Sequence, residues 1–183
     1  MKKSIFLFCF FLSCYVAGIN AQTSPKNAND ILKEASQLAA KDKKNVFIIF
    51  HASWCGWCHK MDSSMNDIAV KKFFDDNFVV RHLVVNEWKE KKNLENPGAI
   101  ELLTKYNGND DGIPYWLIFD KNGNLLADSQ IRPSGAGMDT KGKNSGCPAN
   151  EEEVNYFITV LKNTTTLNTQ QLGLIKERFR KNE

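Results

Sequence analysis

Cys55 and Cys58, two cysteines separated by two residues, have the types and spacing that point most directly to chemistry in this 183-residue chain. The surrounding stretch Phe47–Asp62 reads F-I-I-F-H-A-S-W-C-G-W-C-H-K-M-D, so an apolar strand precedes the pair and a helix-compatible segment follows it. At a helix start, unpaired N–H groups and the positive end of the helix dipole stabilise a thiolate, which is the nucleophilic form of cysteine. We therefore predict that Cys55 attacks a disulfide and that Cys58 resolves the resulting mixed disulfide.

The same pair fits two other kinds of site. Zinc needs about four ligands, and beyond the N-terminal segment Cys147 is the one further cysteine, so we expect no metal site. Residues Cys55–His59 also read C-x-x-C-H, the pattern of c-type haem attachment, so an electron-transfer protein carrying haem stays open as an alternative. A haem site, however, gives no reason for the buried strand before the motif or for the segment Gly112–Pro114.

The first 21 residues have the composition of a targeting segment. Lys2 and Lys3 precede the apolar run Ile5–Leu12, which is too short to span a bilayer, and Ala21 ends a cleavage-site pattern. We predict a secretory signal peptide over residues 1–21 and an exported, periplasmic protein with a single domain over residues 22–183. The alternative is lipid attachment at Cys14, which would anchor the protein to a membrane.

Charge and cysteine content limit the classes of function. Without residues 1–21 the chain loses two lysines and no acids, so its net charge falls from +3 to +1. Such a balance gives no support to nucleic-acid binding by bulk charge. Three cysteines remain, too few for a scaffold held by disulfides. We interpret the odd one, Cys147, as a loop or partly buried thiol without chemistry; a regulatory or extra resolving cysteine is the alternative.

Helices and strands alternate along the rest of the chain. Apolar residues at helical spacing predict helices, and a continuous apolar run predicts a strand covered on both faces. In chain order we predict helix Ala28–Lys41, strand Val46–Phe50, a helix from Cys55 to about Met65, a helical piece Ile68–Asp75, strand Phe78–Val85, loop Glu87–Asn96, helix Gly98–Tyr106 with Ile100, Leu103 and Tyr106 facing inward, strand Ile113–Phe119, a hairpin turn Asp120–Gly123, strand Leu125–Ser129, surface loop Ile131–Pro148, a helix opened by Glu151–Glu153, and a last helix near Thr169–Arg180.

This order of elements resembles the thioredoxin fold over about residues 28–162. Three segments carry a narrower resemblance to exported bacterial thioredoxin-like proteins and to the periplasmic thioredoxin-like domain of membrane disulfide reductases: Trp54–Met61 (W-C-G-W-C-H-K-M), Leu94–Ala99 (L-E-N-P-G-A) and Gly112–Asp120, which begins G-I-P. The resemblance implies an α/β fold with a central mixed sheet flanked by helices. It leaves residues 163–183 as an extra C-terminal helical extension.

The resemblance also implies an activity and its partners. The expected function is that of a protein thiol–disulfide oxidoreductase in the cell envelope, acting in the reductive direction through the redox-active pair Cys55–Cys58. No metal or organic cofactor is expected. The expected partners are proteins with disulfides or thiols, and a membrane-bound or thioredoxin-like electron donor that restores the dithiol. Contact with a membrane is expected only if Cys14 is lipidated.

Residues on either side of the dithiol are candidates for binding a substrate. The resemblance implies that the Ile113–Pro114 bond is cis and lies against the dithiol. Because proline has no N–H, the backbone of Ile113 is free to pair with an extended segment of substrate. Trp54 and Trp57, with Gly56 between them, flank a sulfur that we expect to be exposed, and they predict an apolar rim for unfolded or extended protein segments. A module that only binds peptides in this groove is a further alternative.

One departure from the family concerns the proton acceptor of the second cysteine. Thioredoxins carry a buried aspartate six residues before the first cysteine, where this chain has Ile49. Candidates to replace the aspartate are Glu87, which ends a strand on the expected active-site side, and the three histidines. Of these, His82 lies in mid-strand, where a core histidine with its own partner is equally expected, and His59 stands next to the second cysteine. His51 is the remaining one.

Overall fold

The computed structural model describes residues 24–183. The signal peptide predicted for residues 1–21 and its alternative, lipid attachment at Cys14, lie outside the described residues, and the signal peptide stays a prediction. The elements are α1 (Ala28–Asp42), β1 (Asn45–His51), α2 (Gly56–Met65), α3 (Lys71–Asn77), β2 (Phe78–Val84), a 3-10 helix (Lys89–Leu94), α4 (Ala99–Lys105), β3 (Tyr115–Phe119), β4 (Leu125–Asp128), β5 (Gln130–Ile131), β6 (Lys143–Asn144), α5 (Glu151–Thr164) and α6 (Thr169–Arg180).

Strand β1 lies inside a four-stranded mixed sheet with the order β2-β1-β3-β4. It pairs in parallel with β2 and antiparallel with β3, which continues into β4 through the predicted hairpin. Residues Val46–Phe50 are at most 1% exposed, as expected for a strand covered on both faces. The thioredoxin fold, with its central mixed sheet and flanking helices, is confirmed, and β1 delivers its carboxyl end directly to the two cysteines.

Alternation along β1 divides the interior into two layers. Phe47 and Ile49 face the side of the sheet that α2, α5 and α6 cover, while Val46, Ile48 and Phe50 face α1 and α4. The first layer is rich in aromatic side chains and is filled by Met61, Met65, Phe74, Phe78, Trp116, Phe157, Leu172, Ile175 and Phe179. Helix α2, the dithiol helix that carries the cysteine pair at its start, therefore rests on one large apolar layer that fixes its position.

The two C-terminal helices follow their sequence signals closely. Asn150 and Asn168 each form a reciprocal capping box, which satisfies backbone N–H groups at the starts of α5 and α6. Helix α6 spans the predicted Thr169–Arg180, and its residue Phe179 packs against Phe157 of α5 with ring centroids 4.9 Å apart. These two helices close the aromatic layer beneath the dithiol helix.

Three local predictions differ from the structure. Helix α3 begins at Lys71 rather than at Ile68, because the Asp67 carboxylate accepts the N–H of Ala69 at 3.0 Å and forms a turn there. The predicted loop 87–96 contains the 3-10 helix. In α4 the side chain of Ile100 is 40% exposed rather than inward, whereas Leu103 is buried as predicted and Leu102 is buried beside it.

The segment Ile131–Pro148, predicted as a surface loop, is largely organised. Strands β5 and β6 pair antiparallel across it. Arg132 makes an ion pair with Asp128, with Nη2 and Oδ2 2.6 Å apart, and the two side chains are only 7% and 2% exposed. The same guanidinium donates to the carbonyl of Met138 at 3.1 Å. Arg132 thus ties the segment both to the end of β4 and to its own backbone, which a pattern of glycine, proline and polar residues does not reveal.

Candidate active site

Cys55 and Cys58 form a disulfide with Cα atoms 5.3 Å apart. Cys55 is the N-cap residue of α2, and its Sγ accepts the backbone N–H of Cys58 at 3.1 Å. The prediction that strand β1 delivers the pair to a helix start is therefore confirmed. The expectation that the Cys55 sulfur is exposed is wrong: the residue is 3% exposed, because Ala52 and Ile113 pack against the pair.

A cis peptide bond joins Ile113 to Pro114 beside the disulfide. The Ile113 carbonyl oxygen lies 3.5 Å from the Cys55 Sγ. Asn144 of β6 holds this turn, since its side-chain amide donates to the carbonyls of Gly112 at 2.6 Å and of Pro114 at 3.2 Å. Sequence reasoning missed Asn144, which lies 30 residues beyond Pro114 in a stretch assigned to a surface loop.

Three tryptophans surround the disulfide at the surface. Trp54, Trp57 and Trp88 are 48%, 49% and 61% exposed, which agrees with the predicted apolar rim and extends it by one residue. The indole N–H of Trp54 donates to the carbonyl of Asn86 at 2.9 Å, and the rings of Trp54 and Trp88 meet edge to face with centroids 6.3 Å apart. Gly56 lies between the first two with open space where a side chain would begin.

A cavity of about 510 Å³ opens beside the disulfide. Trp57 forms one wall, and Ile113 and Pro114 form another. The remaining lining comes from the organised segment and the ends of helices, namely Gly112, Asn144, Ser145, Gly146, Cys147, Ala149, Asn150, Glu153 and Glu183. Of the residues predicted to bind substrate, Trp57, Ile113 and Pro114 line this opening, whereas Trp54 and Gly56 do not.

Glu87, a predicted proton acceptor, supports the loop before the first cysteine. Its two carboxylate oxygens accept the backbone N–H of Ser53 at 2.5 Å and the Ser53 hydroxyl at 2.8 Å. Burial opposes ionisation of this carboxyl, but the hydrogen bonds from Ser53 outweigh it and lower the Glu87 pKa. A carboxylate held in its ionised form by these donors is suited to positioning Ser53, and this arrangement does not favour the role of acceptor.

His59, the second candidate, lies on the exposed side of α2. Its Nε2 is 3.1 Å from the carbonyl oxygen of Ser53, so the ring joins the first turn of the helix to the preceding loop. Together with Glu87, it fixes Ser53 from two sides. The contact with Ser53 gives the His59 ring nitrogen a structural role that involves no proton transfer.

The third candidate, His82, belongs to a cluster under the dithiol helix. Its Nε2 lies 2.7 Å from Oδ1 of Asp62 on α2, and its ring centroid is 4.9 Å from that of His51 at the end of β1. The Nδ1 of His51 is buried and has no hydrogen-bond partner among the described residues. Burial and the neighbouring His82 lower the pKa of His51, while Asp62 and Glu87 raise it to a smaller extent.

Cys147 is buried at the inner side of the organised segment and forms no disulfide. The amide of Asn182 approaches its Sγ at 3.5 Å. Burial raises the pKa of the thiol to about 12, so it stays protonated at neutral pH. These surroundings agree with the interpretation of Cys147 as a thiol without chemistry.

No cluster of three or more His, Cys, Asp or Glu side chains within residues 24–183 is placed to hold a metal ion. Across the same residues, every helix falls short of the length and apolar character that a membrane crossing requires. Neither finding bears on residues 1–23, where the predicted export signal and the alternative lipid attachment lie.

Comparison with known proteins gives one family and several similar structures. The family model described as thioredoxin-like matches residues 27–121. Solved structures similar to this chain include a disulphide isomerase from Xylella fastidiosa Temecula1 (22% identity, 59% of this chain and 80% of that chain, TM-score 0.46), a DsbH oxidoreductase (20%, 85% and 95%, 0.42) and the oxidised C-terminal domain of DsbD from Neisseria meningitidis (19%, 77% and 99%, 0.43). The comparison with curated proteins finds no significant match.

Proposed function

Because the chain belongs to the thioredoxin-like family, we propose that it is a thiol–disulfide oxidoreductase that acts on protein disulfides in the cell envelope. The observation that carries the proposal is the Cys55–Cys58 disulfide at the start of α2, facing the cis peptide bond before Pro114. The N–H of Cys58 and the helix dipole both favour negative charge on Cys55 once the pair is reduced. Cys55 is therefore the attacking sulfur.

In the reductive direction the reaction has two exchanges. The Cys55 thiolate attacks one sulfur of the substrate disulfide, and the other substrate sulfur leaves as a thiolate that takes a proton from water. Cys58 then loses its proton and attacks the Cys55 Sγ, which releases the second substrate sulfur. The substrate gains two electrons, the pair becomes a disulfide, and a membrane-bound or thioredoxin-like donor reduces it again. The reaction needs no metal or organic cofactor.

Substrate recognition uses the surface around the nearly buried Cys55. A substrate sulfur reaches Cys55 along the opening between Trp57 and Pro114, so an extended segment fits better than a folded surface. The backbone of Ile113 pairs with that segment, and the exposed rings of Trp54 and Trp57 contact its apolar side chains. Trp88 extends this apolar rim beyond the residues that the motif names.

Direction and location come from the sequence. The intervening pair, Gly56 and Trp57, contains no histidine to favour a strongly oxidising potential, so we place the protein on the reductive side. The predicted signal peptide over residues 1–21 directs it to the periplasm, and lipid attachment at Cys14 is the alternative that would place it on a membrane. A net charge of +1 after removal of residues 1–21 gives nucleic acid no part in this function.

The c-type haem alternative has little support around the motif. Haem attachment needs both sulfurs free to bond a porphyrin, whereas Cys55 and Cys58 are bonded to each other and are 3% and 1% exposed. The His59 ring, which would have to ligate the iron, has its Nε2 3.1 Å from the Ser53 carbonyl. A visible spectrum of protein matured in a host that makes c-type cytochromes tests this alternative, since a Soret band would overturn the oxidoreductase proposal.

Reduction of insulin by dithiothreitol, followed by turbidity, tests the activity. We expect the wild-type protein to accelerate the precipitation of insulin. The acceleration by Cys55→Ser should be at least about 10²-fold smaller, because this variant lacks the nucleophile. The matched control is Cys147→Ser, the same change at the buried thiol, which should keep the activity. A Cys55→Ser variant as active as the wild type would overturn the proposal and leave the peptide-binding alternative.

Titration of the Cys55–Cys58 pair in glutathione buffers tests the direction separately. A reductive protein should have a potential near the thioredoxin end of the family range, roughly −270 mV. A value near about −120 mV, the oxidising end, would contradict the reductive assignment while leaving the oxidoreductase activity intact.

A further inference from the structure

Resolution of the mixed disulfide requires a proton acceptor for a buried thiol. Cys58 is 1% exposed, and its neighbours Ala52 and Cys55 are also almost fully buried. A thiol reacts as its thiolate, and burial in apolar surroundings disfavours that charge. Since water does not surround the sulfur, the proton has to pass to a nearby protein group. The inference that follows rests on the proposed function.

The topology brings one such group to the same side of the sheet as Cys58. Cys58 and Asp62 are four residues apart on α2, so they share one face of the helix. Asp62 contacts His82 at 2.7 Å, and the His82 ring lies tilted against the His51 ring with centroids 4.9 Å apart. His51 immediately precedes Ala52, which packs against the dithiol. The histidine pair therefore lies between the ends of β1 and β2 and the inner face of the dithiol helix.

One nitrogen of the His51 ring is available to accept a proton. Its Nδ1 is one of two buried side-chain nitrogen or oxygen atoms within residues 24–183 that have no hydrogen-bond partner. The charged and titratable groups that face it are His82 from β2, Asp62 and His59 from α2, and Glu87 from the segment after β2. Burial and His82 keep the imidazole neutral at pH 7, and a neutral imidazole accepts a proton at one nitrogen.

From this geometry we propose that His51 accepts the proton of Cys58 in the resolving step, with His82 and Asp62 as positioning residues. The Cys58 S–H bond breaks, its proton goes to the His51 ring, and the electron pair left on sulfur forms the bond to the Cys55 Sγ. The bond between Cys55 and the substrate sulfur breaks, and the substrate leaves as a thiolate that takes up the proton from the imidazolium directly or through water. Proton and electrons balance, and His51 returns to its neutral form.

Asp62 assists by stabilising the positive charge on His51, and His82 positions Asp62 through their 2.7 Å contact. The Asp62 carboxylate raises the pKa of His51 against the effects of burial and His82. Its side chain is 33% exposed, so this end of the cluster reaches solvent. Because one end of this cluster reaches solvent, the buried imidazole has a shorter route for proton exchange with water than an isolated buried base has.

A single-turnover experiment tests the role of His51. Reduced protein is mixed with oxidised glutathione, quenched with acid, and the glutathione adduct of Cys55 is followed by mass spectrometry. In His51→Gln we expect the adduct to form at the wild-type rate and to be resolved about 10²-fold more slowly at pH 7. The difference should shrink as the pH rises towards the pKa of a buried thiol, which lies above the ordinary value of about 8.5, because the thiol then ionises without help from a base.

A second pair of variants protects the test against misfolding of His51→Gln. Asp62→Asn changes a partly exposed residue, and it should slow resolution several-fold and move the acid limb of the pH profile to lower pH, because the His51 pKa falls. Asp75→Asn, the same change at an exposed carboxylate on α3, should match the wild type. Thermal unfolding confirms that each variant is folded.

The outcomes separate the inference from the proposed function. If the wild type never forms the adduct, the proposed function fails and this inference fails with it. If the wild type forms and resolves the adduct while folded His51→Gln resolves it equally fast at pH 7, the inference alone is overturned. Slowing by the same factor at every pH would also overturn it, since a proton acceptor matters less as the thiol ionises directly.

Discussion

Three cysteine sulfurs lie within the described part of the chain, and their environments are of two kinds. Cys55, Cys58 and Cys147 are 3%, 1% and 5% exposed, so burial does not distinguish the pair from the third. Cys55 caps a helix and receives a backbone N–H at 3.1 Å, whereas Cys147 receives one side-chain amide at 3.5 Å and has its pKa raised to about 12. The reactivity of cysteine here follows from the position of the backbone around it.

The two environments are physically joined through Asn182. Its side-chain amide donates to the Cys147 sulfur and to the Pro148 carbonyl at 3.1 Å. Its carbonyl groups face α2, where the side-chain oxygen accepts the Ser64 hydroxyl at 3.0 Å and the backbone oxygen accepts the Lys60 ammonium at 2.8 Å. One residue near the C-terminus thus fastens the dithiol helix to the segment that carries the unreactive thiol.

The largest expected effect is in alkylation. On reduced protein at pH 7, iodoacetamide should modify Cys55 at least about 10³-fold faster than Cys147, because a thiol with a pKa of about 12 is ionised in roughly one molecule in 10⁵ at that pH. Peptide mapping by mass spectrometry measures both rates. In guanidinium chloride the two rates should converge, and equal rates in the native protein would contradict the comparison.

A smaller effect is expected from Asn182→Ala, which cuts the link between the two regions. The variant leaves the buried Pro148 carbonyl without its side-chain donor, while the Ser64 hydroxyl keeps the Lys60 carbonyl as an acceptor. The free energy of unfolding should therefore fall by about 1–3 kcal/mol. Urea denaturation measures this loss, and alkylation of Cys147 should become faster. Asn163→Ala, the same change at an exposed position on α5, is the control. Equal stability of the two variants would show that Asn182 does not join the regions.

The smallest effect is expected at Glu87, which supports the loop before Cys55. Its pKa in the folded protein is lowered from the ordinary 4.5, so its ionised form stabilises the fold above that pH, and this contribution is lost as the pH falls through the folded-state pKa. Glu87→Gln should therefore be slightly less stable than the wild type at pH 7, and the difference should shrink as the pH falls below 4.5 and through the lowered folded-state pKa.

Unfolding midpoints across this pH range measure the Glu87 effect. Glu90→Gln, a change at an exposed acid in the same loop, is the control and should follow the wild type at each pH. A deficit of Glu87→Gln that grows towards acid would have the opposite sign and would contradict the lowered pKa.

Sequence predicted the parts of the site that depend on local pattern. The continuous apolar run of β1 and the C-x-x-C spacing placed Cys55 at a helix start, and a short segment beginning at Gly112 placed Ile113 and Pro114 before a buried strand. Each of these depends on neighbours within a few residues. For the same reason the acidic start at Glu151–Glu153 and the apolar spacing predicted the two C-terminal helices well.

Residues brought in by long-range contacts could not be found in this way. The register between β1 and β2 places His82 opposite Ile49, and this pairing across the sheet makes the histidine cluster. Asn144 reaches Pro114 because β5 and β6 fold back, and Trp88 meets Trp54 across the end of the sheet. A sequence pattern carries no information on such partners. Glu87 and His82 were therefore chosen as candidate proton acceptors by their position in the chain alone, and only their contacts in the structure distinguish their roles.

The Cys55 sulfur occupies the position in which serine, threonine or aspartate oxygens usually close a helix. When the disulfide is reduced, the Cys55 thiolate becomes a negatively charged N-cap of α2. The free energy of reduction and the local stability of α2 are therefore thermodynamically linked. Folding and oxidation form a closed thermodynamic cycle. The oxidised and reduced forms therefore differ in their free energies of unfolding by the same amount by which the free energy of disulfide formation differs between the folded and the unfolded chain. Two denaturation curves, one for each form, therefore measure how much the fold shifts the reduction potential of the Cys55–Cys58 pair.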